Sequence, residues 1–231
     1  MKVWLRRASG PTLEFLFPPV CPGCGRLGYP ICPHCRAEIV PITGSDCRIC
    51  NRLLDFADIC GRCNAARHSL GRVYAAAVYS SPIREAITRF KYDNHRFLAE
   101  TLGELLARRL RGESLDGFRV VPVPLHRNRQ KSRGYNQSAL LGRRISEQLG
   151  LRYEPDGLER VRDTGPQVGR NVNERLANVR GAFGAGSADL QGRDVLLVDD
   201  LSTTGATLEA CAKAARKAGA SSVRAAVVAR G

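Results

Sequence analysis

Apolar positions along the second two thirds of the chain alternate between strand-like runs and helical spacing. Val73 to Tyr79 is rich in Val, Ala and Tyr and predicts a first strand. Ser81 and Pro82 resemble a helix cap followed by proline at the first helical position, and Ile83, Ala86, Ile87 and Phe90 then fall on one helical face. A second helix follows on Leu98, Leu102, Leu105, Leu106 and Leu110, punctuated by Gly112 and Gly117. Phe118 to Val123 predicts another strand, which Pro122 and Pro124 keep short. The next helix carries Leu140, Leu141, Ile145 and Leu149, with Asn136 or Ser138 as its cap. Near the end, Val195 to Val198 reads as a buried strand ending at Asp199 and Asp200. Leu201 to Gly205 forms a turn, Ala206 to Ala218 a helix stopped by Gly219, and Ser222 to Val228 a last strand. Strand, helix and strand in this order predict an α/β fold with a mostly parallel sheet flanked by helices.

The first part of the chain lacks these periods and is organised by cysteine. Eight of the nine cysteines lie between positions 21 and 63, and Cys211 stands alone in a predicted helix. Two units follow: a small metal-binding module over 1–70 and an α/β domain over 71–231. The eight form four pairs, Cys21 with Cys24, Cys32 with Cys35, Cys47 with Cys50 and Cys60 with Cys63, each with two residues between its members. That spacing turns both sulfurs of a tight knuckle toward one ion, and two knuckles complete a tetrahedral set of four thiolates suited to zinc. Such a site has no open position, so its role is structural.

Short gaps favour sequential sites, 21/24/32/35 and 47/50/60/63, with Pro41 to Asp46 as spacer. A cross-braced pairing remains an alternative, iron–sulfur ligation is a weaker one, and His34 is a minor rival ligand. No apolar run approaches the roughly 18 residues of a membrane helix, and Pro18 and Pro19 interrupt the apolar stretch from Phe15 to Val20. No membrane insertion is expected. The expected location is cytoplasmic, where paired cysteines bind metal more readily than they form disulfides.

Net charge adds a preference for anionic partners. The formal value is +14, and two four-thiolate zinc sites at −2 each would lower it to about +10. Part of this charge is local. Leu125 to Gly134 holds Arg127, Arg129, Lys131 and Arg133 without an acidic residue. A basic loop between a strand end and a helix start suits an anion, although a solvated charge run has the same composition. The stretch from Glu159 to Arg180 is polar and cationic, with Arg170 and Arg175 in it. It reads as a lid-like loop entering a helix near Val172 to Val179, or as a plain connection.

The richest chemistry lies in Val195 to Leu208. Two adjacent acids after an apolar strand are costly to bury unless they have a task. Ser202, Thr203 and Thr204 precede Gly205, and Ala206 and Thr207 follow. Helix-start N–H groups and threonine hydroxyls hold phosphate, and Gly205 permits close backbone approach. Asp199 and Asp200 can accept hydrogen bonds from sugar hydroxyls and help place Mg²⁺. The loop suits a phosphorylated sugar.

Val195 to Thr207 resembles the phosphoribosyl pyrophosphate (PRPP) signature of type I phosphoribosyltransferases. The segment Val121, Pro122, Val123 and Pro124 through Arg133, Gly134, Tyr135, Asn136 and Gln137 resembles the ComF family, also called the GntX group. Arg175, Asn178, Val179, Gly181, Ala182 and Phe183 resemble it too, as does the double zinc-ribbon-like start. The resemblance implies that Asp199 and Asp200 meet the ribose 2′ and 3′ hydroxyls, that Thr203 to Thr207 wrap the 5-phosphate, and that Arg127 to Arg133 face pyrophosphate. Arg170 and Arg175 would belong to a hood over the site. Tyr135 is a candidate stacking partner, and His126 a minor candidate participant. Glutamine hydrolysis is not expected, because no catalytic cysteine follows Met1.

Three functions follow. One is transfer of ribose 5-phosphate from PRPP and Mg²⁺ to an unidentified nitrogenous acceptor. Another is a DNA-uptake factor of natural transformation that binds single-stranded DNA or DNA-uptake proteins. The last is a sensor that binds PRPP without turnover.

Overall fold

The computed structural model of the chain describes residues 18–42, 47–50, 54, 58–65, 68–92, 95–164 and 177–231. The cysteine-rich part contributes two short helices, α1 (Pro33–Ala37) and α2 (Gly61–Asn64). The α/β part runs β1 (Arg72–Val78), α3 (Ile83–Tyr92), α4 (Leu98–Leu110), β2 (Arg119–Pro122), α5 (Arg127–Arg133) and α6 (Gln137–Leu149). It continues with β3 (Arg152–Tyr153), β4 (Leu158–Arg160), β5 (Phe183–Ala185), β6 (Asp194–Ser202), α7 (Ala206–Lys217) and β7 (Ser222–Arg230).

Five strands form one sheet in the order β1-β7-β6-β2-β3, with every neighbouring pair parallel. β4 and β5 form a separate antiparallel pair. Both faces of the main sheet are covered, so its central strands are apolar on both sides. Strand alternation assigns the faces. Leu196, Val198, Ala226 and Val228 join Ile83, Phe90, Leu102 and Leu141 in one core, under α3, α4 and α6. Val195, Leu197, Ala225 and Val227 join Leu208, Cys211 and Ala212 of α7 in the other. Ile83, Ala86, Ile87 and Phe90 are buried in α3, as their spacing predicts. In α4 the buried leucines are 98, 102, 106 and 110, while Leu105 is only half-buried.

The chain leaves β6 toward β7 on one side, and leaves β2 toward β3 on the other. The loops after β2 and β6 therefore diverge, which opens a crevice at their carboxyl ends.

Three differences from the sequence expectations matter for the site. β6 extends to Ser202, so Leu201 and Ser202 belong to the strand and not to the turn. Pairing with β7 carries it on, since Asp199 lies opposite Val227 and Ser202 opposite Arg230. The basic stretch after β2 is the helix α5, not a loop. Helix α3 begins at Ile83, after a cis peptide between Ser81 and Pro82.

None of the nine cysteines is joined in a disulfide. Eight gather as 21/24/32/35 and 47/50/60/63, with the sulfurs of each set within 4.8 Å of one another. These are the sequential sets, and His34 instead lies 3.5 Å from Glu38 on the surface. A Zn–S distance of about 2.3 Å sets tetrahedral sulfurs about 3.8 Å apart. Cys24 and Cys32 approach to 3.5 Å, and Cys50 and Cys60 to 3.7 Å. Backbone N–H groups of Cys32 and Cys60 donate to the sulfurs of Cys21 and Cys47, each at 3.3 Å. Burial works against ionising Cys21 and Cys47, but these and neighbouring N–H donors outweigh it and bring both thiols to about 6. The two clusters are consistent with structural zinc sites.

The first cluster shares a core with the α/β part. Cys21, Ile31, Cys32 and Cys35 pack in the cluster that holds Tyr74, Ile83 and Phe90. The second forms a small core of its own with Ile49, Leu54 and Ile59. Residues 40–42, of which Pro41 and Ile42 begin the expected spacer, pair with the open edge of β1; the rest of that spacer lies outside the described residues. Val78 N donates to Val40 O at 2.9 Å and Ile42 N to Ala76 O at 3.2 Å. Covering an edge strand in this way removes a template for aggregation.

Elemental analysis is expected to find about two zinc ions per chain; a value near one would contradict the two-cluster arrangement. Cys35→Ser and Cys63→Ser should each lose one ion with unequal consequences. Cys35→Ser is expected to lower the unfolding midpoint of the α/β part by at least about 5 °C, because its cluster belongs to that core. Cys63→Ser should shift the midpoint far less. Equal shifts by calorimetry would show that the cores are not divided in this way.

Candidate functional site

A cavity of about 540 Å³ lies at the carboxyl ends of β2 and β6. The β6–α7 segment from Asp199 to Leu208 forms one wall, so Ser202, Thr203, Thr204, Gly205, Ala206 and Thr207 all line it. Gly205 caps α7 with φ of 76°, a left-handed conformation that a side chain disfavours. The turn is thereby tight enough to aim the helix start at the cavity. Thr204 Oγ1 accepts from Ala206 N at 3.4 Å. A helix start offers N–H groups and the positive end of the helix dipole to an anion.

The acid pair lies beside it. Asp200 is buried and Asp199 half-buried. Alternation along β6 sends Asp200 to the face covered by α3, where Lys91 Nζ meets its Oδ1 at 2.9 Å. Ser138 Oγ donates to Asp199 Oδ1 at 2.8 Å, and Asp200 N donates to the same oxygen at 2.9 Å. One cation and two neutral donors thus face two carboxyl groups. Burial, then the adjacent charge of Asp200, push the Asp199 carboxyl up to about 7; Lys91 and the hydrogen bonds oppose this without cancelling it. Burial disfavours the Lys91 ammonium, yet the charges of Asp200 and Asp199 outweigh it and hold the group above its usual range.

The opposite wall is cationic. Arg129 and Arg133 are four residues apart on α5 and share the face that lines the cavity. Buried Nη2 of Arg129 has no hydrogen-bond partner among the described residues. Arg133 Nη1 donates to Gln137 Oε1 at 3.0 Å, and its guanidinium sits 5.1 Å from the Tyr92 ring centroid. Arg160 reaches the cavity from β4, packed over Phe183 and bonded to Thr164. Burial, then the neighbouring charge of Arg129, lower its pKa from the ordinary value.

The helix divides the four predicted cations. Arg127 and Lys131 are also four apart, on the side turned from the cavity, and both are exposed. They do not line it, because a helix separates positions that a loop could bring together. Tyr135 is likewise not part of the wall. It is buried, its hydroxyl donates to Phe90 O, and Arg96 stacks 4.8 Å from its ring centroid. Arg170 and Arg175 lie outside the described residues. His126 caps α5, its Nδ1 accepting from Asn128 N at 3.4 Å and lying 3.2 Å from Asp163 Oδ2.

Among the wall residues that escape the sequence reading are Lys91, Tyr92, Ser138 and Arg160. Lys91 had a signal. It continues the i, i+4 row of Ile83 and Ile87, so a charge stands where an apolar residue is due. Ser138 competed with Asn136 for the cap of α6. Asn136 takes it, its Oδ1 accepting from Ser138 N at 3.0 Å, which leaves the serine hydroxyl for Asp199.

Residues 101–231 match the family model of the phosphoribosyl transferase domain, and residues 12–64 that of the double zinc ribbon domain. Competence protein F of Haemophilus influenzae is 31% identical over 215 residues, covering 89% of this chain and 87% of the relative. DNA utilization protein YhgH of Escherichia coli is 31% identical over 211 residues, covering 89% and 86%. Competence protein ComFC of Bacillus subtilis is 27% identical over 190 residues, covering 79% and 76%. No described helix is long and apolar enough to cross a membrane.

The raised Asp199 carboxyl makes a testable pH signature. Between its ordinary value near 3.8 and about 7, the folded chain holds a proton that the unfolded chain has released. Stability from this group therefore falls as pH rises through that window and levels off above it. Asp199→Asn keeps an acceptor for Ser138 and removes the titration. Urea unfolding at pH 5 and pH 8 should show the variant gaining on the wild type at the higher pH. A difference independent of pH would mean that Asp199 ionises in the ordinary range.

Proposed function

This chain belongs to the ComF/competence-protein family and carries its phosphoribosyl transferase domain and double zinc ribbon, and we propose that it serves DNA uptake or use through a cavity that binds a ribose 5-phosphate ligand, PRPP with Mg²⁺ foremost. The observation that carries the reading is the single wall on which the acid pair of β6 runs directly into the glycine-capped start of α7. A ribose fits the carboxyl groups and its 5-phosphate fits the helix start. The relatives' names, competence and DNA utilization proteins, support the cellular setting.

The residues suit the partners this implies. Asp199 and Asp200 offer the hard oxygen donors that would hold Mg²⁺, directly or through water. When bound, the ion would offset phosphate charge. The unpartnered Arg129 Nη2 is a buried donor in want of an acceptor, and an anion supplies one. Ser138 fixes the orientation of Asp199, and Lys91 that of Asp200.

Transfer to an acceptor is the second reading, favoured by Arg129, Arg133 and Arg160 around the same cavity. Cations there would stabilise a departing pyrophosphate. Ligand binding without turnover would make the chain a PRPP sensor. Pyrophosphate release with candidate amines and bases separates the two.

Titration calorimetry with PRPP and Mg²⁺ should show binding in the micromolar to millimolar range. Asp199→Asn with Asp200→Asn is expected to weaken it at least about tenfold. An absence of binding by the wild type would overturn the reading. For DNA, the exposed Arg127 and Lys131 are the residues to change. Single-stranded DNA binding by Arg127→Gln with Lys131→Gln should be weaker, with a salt dependence shallower by about one to two phosphate contacts. An unchanged slope would remove this face from a DNA role.

A further inference from the structure

The amino end of the main sheet, opposite the cavity, gathers its own set of cations. Arg72 and Arg224 stand opposite one another on the neighbouring strands β1 and β7. They fall on the rows of Tyr74 and of Ala226 and Val228, which point into the core under α4. Like charges side by side on one sheet face repel. Arg109, in the last turn of α4, joins them from above. The three guanidinium groups converge on one ring. Those of Arg72 and Arg109 lie 5.1 and 5.4 Å from the Tyr74 ring centroid, and Arg224 Nη1 donates to the Tyr74 hydroxyl at 3.1 Å. Arg224 also donates to Ser114 O at 2.9 Å and packs 4.8 Å from the Phe118 ring centroid.

Rings, a hydroxyl and a carbonyl orient these cations without neutralising them. Glu113 is the one carboxylate paired with them among the described residues, 2.9 Å from Arg109 and 3.9 Å from Arg72. The negative end of the α4 dipole adds about half a charge. Three oriented cations therefore keep an excess of more than one charge. All three residues are half-buried, so salt screens that excess less than on an open surface. Arg109 Nε is buried and has no hydrogen-bond partner among the described residues. An unpaired buried donor is costly, and an acceptor relieves it.

We propose that Arg72, Arg109 and Arg224 form a separate site for a phosphate oxyanion at the amino end of the sheet. Guanidinium forks match phosphoryl oxygens, two N–H groups to two oxygens. An oxyanion between Arg72 and Arg109 gives both an acceptor and offsets the repulsion between the neighbouring strands. From Arg224 to Arg230, strand steps of about 3.3 Å separate this site from the carboxyl end of β7 by about 20 Å. A single sugar phosphate does not span that distance, so the site stands apart from the reading of the cavity. The phosphate is either free or carried in a nucleic-acid backbone, and its chemistry at the guanidinium groups is the same.

The experiment follows the side-chain Nε–H resonance of Arg109 by NMR in the full chain while inorganic phosphate or oligothymidylate is added. A saturable shift is expected. Arg72→Gln should weaken the affinity about five- to tenfold, and Arg72→Lys should recover part of the loss by keeping the charge. Arg152→Gln is the control for net charge. Arg152 is 69% exposed and starts β3, at the other edge of the sheet. Its loss should leave the affinity within about twofold. Amide resonances away from β1 show that each variant is folded; if Arg72→Gln disturbs them, Arg72→Lys carries the test, with an affinity below wild type for want of the guanidinium fork. Saturation by phosphate alone assigns a free anion. Saturation by oligothymidylate at a lower phosphate concentration assigns a nucleic-acid backbone, and either result upholds the site. No saturable shift with either probe, or equal losses in Arg72→Gln and Arg152→Gln, would overturn it.

Discussion

Two adjacent carboxyl groups at the end of a buried strand cannot both carry charge without help, and the α/β part is arranged around that constraint. The help comes from three directions. Lys91 arrives from the end of α3, Ser138 from the first turn of α6, and the Asp200 N–H from β6 itself. Breaking a buried charge pair by removing one partner costs about 3–5 kcal/mol, more than an exposed pair is worth. Each contributing element is thus tied in position as well as in charge. The same constraint explains why one carboxyl remains hard to ionise: at Asp199, burial and the charge of Asp200 outweigh Lys91 and the neutral donors.

The constraint also shapes what the cavity can bind. A sugar hydroxyl donates to a carboxylate, a divalent ion satisfies two, and both relieve the unbalanced acid. Across the cavity the imbalance has the opposite sign, with Arg129, Arg133 and Arg160 facing the acids over open space. On the proposed reading, a ligand with a hydroxyl-bearing middle and anionic ends answers both walls. Neither wall alone would select it.

Much of this was legible in the sequence where chemistry is carried by local spacing. The cysteine pairs are legible because two intervening residues suffice to turn both sulfurs one way, and the short gaps between pairs favour the sequential sets over cross-braced ones. The buried faces of α3 and α4 follow from their apolar spacing. The Asp199 to Thr207 wall is contiguous, so its order survives folding. What the sequence concealed depends on long-range placement or on elements without an apolar face. Helix α5 buries none of its seven residues, so no periodicity betrays it, and its turn decides which two of its cations see the cavity. β3, β4 and β5 span two or three residues each and bring Arg160 to the wall by tertiary pairing alone. Tyr135 reads in the sequence as a candidate stacking partner, but burial against Phe90 claims it.

Helix α3 links the two halves of the molecule. At its start, the first cysteine cluster presses on the chain. A Cβ on Gly23 would lie 2.8 Å from Pro82 Cβ and 2.8 Å from Cys35 Sγ, so the knuckle and the entry to α3 are in contact with no space for a side chain. Near its end, about 12 Å along the axis from Ile83, stands Lys91. The row between is anchored by Ile83, Ile87 and Phe90 in the core that also holds Cys21, Cys32 and Cys35. A helix so packed does not slide without opening cavities at every anchor, and interiors resist that. The position of the ammonium beside Asp200 is accordingly set in part by the cysteine cluster at the other end. The module that looks separable in sequence is, through α3, part of the support of the acid pair.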